Sequence, residues 1–258
     1  MAHNKSVLYL LLITSITACS IEEKPHYLLK DTSLITYQGG DSLSYSILDA
    51  SANDDRTGIY KITLLNKDEI EPNTNIANLL FEEQVESGNF TTPFLPQYFS
   101  QNNQGDLILK AIGNSGDILW LLDSDDTQTG ETLYPSDISS MVATNSFTKK
   151  LQRCDENNDC VDAGQYKLLE LEFTGIETAT TPYADFEAYA INISTELNIF
   201  DIEQAGNSKS YLLSGTQWIY PQLGVVKFVY EVNNFTGIST LIGTLSNTNI
   251  SIPETHKK

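Results

Sequence analysis

The chain has 258 residues, 40% of them hydrophobic, which is enough for one or two globular domains with a real core. It carries 34 Asp and Glu against 15 Lys and Arg, a formal net charge of −19, and its pI is near 4.3. So few cations cannot displace counterions from a phosphate backbone, which excludes nucleic acid as a partner.

Lys5 precedes an apolar run over 7–16, VLYLLLITSI. The run is roughly ten residues long where a bilayer span needs about twenty, so it reads as the core of a signal peptide over residues 1–18. Ile16-Thr17-Ala18-Cys19 closes that segment and resembles the lipobox of bacterial lipoproteins. The resemblance implies cleavage before Cys19, thioether-linked and amide-linked acyl chains such as palmitate on it, and membrane attachment through those chains. Each buried CH₂ contributes ~0.8 kcal/mol, and lasting attachment needs more than one chain. The negative surface adds no attraction for anionic head groups, so the acyl chains must hold the protein alone. Ser20, where a retention signal would place Asp, implies by the same resemblance sorting to the outer membrane of the cell envelope, facing periplasm or exterior. Residues 19–27 then form the lipidated Cys and a polar tether, SIEEKPHY after the Cys, reaching at most about 26 Å.

From residue 28 to 252 the text is a series of short β-rich segments split by turn signals, without apolar residues at helical spacing over three turns. Alternation in Tyr60-Lys-Ile62-Thr-Leu64, Leu169-Glu-Leu171-Glu-Phe173 and Val226-Lys-Phe228-Val-Tyr230-Glu-Val232 predicts half-buried strands. Asn102-Asn-Gln-Gly105, Gly113-Asn-Ser-Gly116 and Asn233-Asn-Phe-Thr-Gly237 predict tight turns. The expected fold is mainly β, one or more antiparallel sheets in a sandwich or an incomplete barrel, following the cleaved signal peptide. A single domain is expected over 28–252, with a division into two lobes near 123–162 as the alternative, because the pattern weakens there. Residues 253–258 read as a frayed, flexible tail.

Cys154 and Cys160 enclose five residues in an exported chain and predict a structural disulfide. Asp155, Asn157 and Asp159, with Asp162 beyond, place oxygen ligands at alternate positions as calcium loops do. Cys160 occupies the place of the turn glycine and Tyr166 that of the closing glutamate, so a solvated acidic turn is the simpler expectation. The run Asp123-Ser-Asp125-Asp126 reads the same way.

Gly215-Thr-Gln-Trp218-Ile-Tyr220-Pro221-Gln-Leu-Gly224-Val-Val226-Lys227 resembles the late signature of a family of secreted and lipid-anchored bacterial β domains of unknown function. Gly175-Ile-Glu177 to Pro182-Tyr-Ala-Asp-Phe186-Glu-Ala188 and Gly40-Asp-Ser-Leu-Ser-Tyr45 are similar to that family's preceding strand pair and opening strand. Leu43 stands where the family usually carries Trp, and Gln222 and Ala184 stand where it carries Gly. The resemblance implies an exported β fold and no activity. In physical terms Pro221 and Gly224 make a corner, Val226 and Phe228 re-enter the core, and Trp218 is expected to pack inward. A ligand or partner contact by Trp218 or Tyr220 is the sharper alternative.

Nucleophilic hydrolysis needs a base, most often His, and after the signal only His26 and His256 exist, one expected in the tether and one in the tail. No Gly-x-Ser-x-Gly elbow, His-Glu-x-x-His or phosphate-cradling loop occurs. The expectation is therefore no catalysis and no cofactor: a lipid-anchored, non-catalytic β domain that binds a partner protein, an envelope component or an apolar ligand. A calcium-stabilised adhesion-like module and a carboxylate-dependent hydrolase are the alternatives.

Overall fold

The computed structural model describes residues 24–38, 40–51, 54–64, 80–85, 97–101, 104–114, 118–122, 132–141, 146–154, 159–200, 208–234 and 237–258. Among these residues the regular structure is almost wholly strand. The first half contains β1 (His26–Tyr27), β2 (Ser42–Ser51), β3 (Asp54–Leu64), β4 (Leu80–Val85), β5 (Gln97–Gln101), β6 (Leu107–Asn114) and β7 (Ile118–Leu122). The second contains β8 (Thr132–Tyr134), β9 (Phe147–Cys154), β10 (Cys160–Thr180), β11 (Asp185–Phe200), β12 (Ser208–Tyr220), β13 (Gly224–Asn234) and β14 (Gly237–Thr248). The three alternating segments lie in β3, β10 and β13, and the three turn signals fall between β5 and β6, β6 and β7, and β13 and β14, as expected.

The strands form one sheet in the order β1-β11-β10-β9-β7-β6-β5-β4-β3-β2-β14-β13-β12, with β8 beside β6. Strand β12, last in that order, also pairs with β11, so the sheet curls back on itself. All these pairings are antiparallel except β1 with β11. Two seams are thin. Strands β4 and β5 meet at the single pair Leu80↔Phe99, and β7 meets β9 at Leu121↔Gln152 and Leu122↔Leu151. The result is an incomplete barrel. Strands β8 and β9, from the stretch where the sequence pattern weakens, join this same sheet.

Two groups of buried side chains fill the inside. One gathers Leu109, Leu133, Leu151, Tyr166, Leu171 and Ile191, the other Tyr45, Phe186, Tyr220, Val226, Leu241 and Leu245. Tyr37, Leu213, Val225 and Tyr230 pack against both groups and join them. Val226 and Phe228 are buried as their alternation predicts. Leu169 is not. Register shifts between Leu168 and Glu170 and between Phe173 and Gly175 insert bulges into β10, so Leu171 stays buried while Leu169 faces out.

Both chain ends depart from expectation. Residues 28–38 form a strap over the end of the sheet where β12 turns into β13. Its ties are Leu34 N–H to Ser136 O at 2.7 Å, Ile35 N–H to Pro221 O at 2.9 Å, Tyr37 N–H to Gln101 Oε1 at 3.2 Å and Tyr37 O–H to Leu223 O at 3.0 Å. Gly224 sits at φ +90°, and a Cβ there would lie 2.2 Å from the Tyr37 hydroxyl, so the corner needs glycine for both reasons. The C-terminal residues are not frayed: Glu254–His256 form a 3-10 turn, Tyr27 bridges Lys257, and Lys258 N–H donates to His26 O at 2.8 Å. Burial of His256 among aromatic rings pins them, which a short polar tail does not announce.

Candidate functional site

The C-terminal turn brings together three residues far apart in sequence. His256 Nε2 lies 3.2 Å from Asp31 Oδ2 in the strap, and His256 Nδ1 lies 2.9 Å from the Tyr220 hydroxyl at the end of β12. A carboxylate only accepts, so Nε2 carries a proton toward Asp31, and the Tyr220 hydroxyl lies within hydrogen-bond reach of Nδ1. Gln222 Nε2 also donates to Asp31 Oδ2 at 3.2 Å, and the Tyr220 hydroxyl donates to the Leu28 carbonyl at 3.3 Å. Burial first, then the charges of Asp31, Tyr27 and Glu187, pushes the Tyr220 phenol well above its ordinary range. It is therefore neutral at physiological pH. The arrangement ties the strap, the C-terminal turn and the end of β12 to one another. Sequence reading placed His256 in a loose tail and missed it; the aromatic Tyr27-Tyr220 surroundings come from tertiary packing alone.

Tyr220, an expected contact residue, is only 1% exposed and belongs to the core, where its ring lies 5.1 Å from that of Phe186. Trp218 is half-buried: part of the ring packs against the core group of Tyr45 and Phe186, while its polar edge reaches groups at the surface. Its indole N–H donates to Glu177 Oε2 at 2.9 Å, and Lys227 Nζ lies 4.6 Å above the ring.

The register sets Cys160 opposite Cys154 on paired β10 and β9. Of the suggested calcium ligands, Asp155 and Asn157 lie outside the described residues, as do Cys19 and the run Asp123 to Asp126. Asp159 is exposed, and Asp162 is exposed and pairs with Lys150 at 3.7 Å. Among the described residues no three His, Cys, Asp or Glu side chains converge as metal ligands do, and no helix is long and apolar enough to cross a membrane.

The outer surface has a polarity along the strands. Strand β10 runs toward the strap end and β11 runs back, so residues 160–169, 196–200, 208–212 and 231–238 share the end remote from the strap. Val161, Leu169, Phe200, Leu212 and Ile238 are large apolar side chains exposed on that half, and Ile176 is the exception. Lys167 and Glu196 pair among them at 3.1 Å.

No family model matches the chain, and no curated protein matches it. Among solved structures it is similar to a candidate exported protein with a YmcC-like fold from Bacteroides fragilis, at 14% identity and TM-score 0.43, over 84% of this chain and 99% of that one. A candidate lipoprotein from Parabacteroides distasonis matches at 14% identity and TM-score 0.36, over 85% of this chain and 99% of that one. The hypothetical lipoprotein YmcC from Escherichia coli matches at 10% identity and TM-score 0.36, over 83% of this chain and 85% of that one.

Proposed function

We propose that this chain is a lipid-anchored protein of the bacterial cell envelope, held at the outer membrane by acyl chains on Cys19, whose β domain is non-catalytic and binds a partner protein. The observation that carries the binding role is the set of exposed apolar side chains on the half of the sheet away from the strap. In this reading the tether enters at β1, on the strap side, which leaves the apolar half at the far end of the sheet from the point of attachment. Exposed large apolar side chains gathered on one region are what a docking partner covers. A photo-crosslinking residue placed at Phe200 or Leu212 in intact cells is expected to trap a discrete protein adduct, while one at exposed Asn247 traps none. Equal trapping at all three positions, or none at the first two, overturns the docking role. The anchor has its own test: Cys19→Ala should leave an unprocessed or unacylated protein, and a variant still at mature acylated mass would sink that reading.

The disulfide between Cys154 and Cys160 belongs to the same reading. Antiparallel partners lie about 4.5 to 5.5 Å apart at Cα, inside the range of about 4.4 to 6.8 Å that a disulfide spans. Their opposed register supports the bridge.

A further inference from the structure

We propose that residues 26–38 are a releasable reserve of tether, locked down by the C-terminal turn, and that, resting on the reading of Cys19 as the anchor, their release lets the domain stand farther from its membrane. The strap lies between the anchor and β2, the first long strand. It is held in an unusual way. Only His26 and Tyr27 pair along a neighbouring strand, and from Leu28 to Tyr37 the strap is held by separate bonds, to turns and to the side chains of Glu187 in β11 and Gln101 in β5. At its near end several of these ties converge on the C-terminal turn. Leu28 N–H donates to His256 O at 2.8 Å, the Asp31 carboxylate meets His256 Nε2, and Tyr220 holds His256 Nδ1 from the sheet below. Lys30 Nζ donates to Thr255 O, and Lys258 N–H to His26 O. His256 thus touches both the strap and the sheet through its two ring nitrogens. Removing it cuts both contacts together.

At its far end the strap adds side chains to the core without adding a strand to the sheet. Leu34 packs into one core group, Ile35 against the other, and Tyr37 against both. Segments with few ladder bonds open locally, ahead of the strands they cover. The gain in reach is large. From Cys19 to His26 the chain spans at most about 25 Å, whereas from Cys19 to Ser42 it spans at most about 80 Å. A domain with a docking half at the far end from its point of attachment would use that length to meet a partner at variable distance.

Hydrogen exchange on the full chain, purified from the envelope of an expressing bacterium, tests the lock. In His256→Ala the amides of Leu28, Leu34 and Ile35 are expected to exchange at least tenfold faster, with those of Ile191 and Val229 unchanged. Tyr220→Phe deletes one hydroxyl while keeping the ring, and should give the same pattern at smaller amplitude. Acceleration of both sets together, or of neither, overturns the proposal. In vesicles, energy transfer from a dye on Asn247→Cys to head-group acceptors should fall when His256→Ala is added; unchanged transfer overturns the added reach. The intact mass of the same sample reports acylation separately. An unacylated mass with a faster strap would overturn the anchored reading and the reach together, and would leave the lock standing.

Discussion

Gln217 is a polar side chain in the middle of the barrel, 1% exposed, and it is kept there by two tyrosines. Its Nε2 donates to the Tyr134 hydroxyl, and its Oε1 accepts from the Tyr230 hydroxyl at 2.8 Å. Gln217→Leu takes a donor from one phenol and an acceptor from the other, so it should cost about 1–3 kcal/mol by urea denaturation although Leu is the more apolar residue. A change near zero would show that the tyrosines repair the loss. Glu196 shows the other use of polar groups, at the surface. Asn198 foremost, then Lys167, holds its carboxyl below the usual glutamate range. The folded state therefore favours the charged form, so the contribution is present above the unfolded pKa of about 4.3 and lost as pH falls through the lower folded value. Glu196→Gln is expected to lose that contribution at neutral pH, a small drop in urea midpoint, and to flatten part of the acid limb, so that variant and parent converge as pH falls; equal midpoints at neutral pH would mean that the shift carries no stability.

At the scale of elements, the period-two pattern was legible wherever a strand is regular, as in β13, where Val226, Phe228 and Val232 are buried. It misled where the backbone adds a residue. The bulge at Leu168 to Glu170 turns Leu169 outward. It follows from hydrogen-bond register, which depends on the neighbouring strand as well as on the strand's own side chains. Between β13 and β14 the spacing is set by a missing side chain: a Cβ on Gly243 would sit 2.1 Å from Phe228 Cζ. Gly243→Ala should therefore destabilise by roughly 1–3 kcal/mol through overpacking, measured by denaturant midpoint, and a neutral outcome would mean that the Phe228 ring swings clear. The β9–β10 turn offers a complementary test. If Cys154 and Cys160 are bridged, reduction should cost about 2 kcal/mol, the loop-closure value for so short a loop, and the oxidised protein should show no free thiol at either position.

For the whole molecule, the chain carries a net charge of −19 and its described strands form one curled sheet, so the acids on those strands are held nearer to one another than in the unfolded chain. Self-repulsion should then lower stability at low ionic strength, where screening reaches about 30 Å, and be relieved at about 1 M salt, where it reaches about 3 Å. Thermal melting in sodium chloride is expected to shift upward across that range; a flat or falling trend would mean that local ion pairs such as Lys167 with Glu196 outweigh the net charge.

Composition and short-range pattern were enough for the β class, the antiparallel hairpins and the inward rows of the regular strands, because alternation and turn chemistry act within a few residues. The lipobox resemblance, too, is carried by four consecutive residues. What only the tertiary structure decided is contact between distant segments: the return of β12 to β11, the bond from Trp218 to Glu177, the buried Tyr220, and the meeting of Asp31 with His256. Residue 31 and residue 256 share no local signal. Their pairing exists because β1 and the C-terminal turn are brought to one end of the same sheet, where burying an imidazole against aromatic rings requires that its two nitrogens find partners.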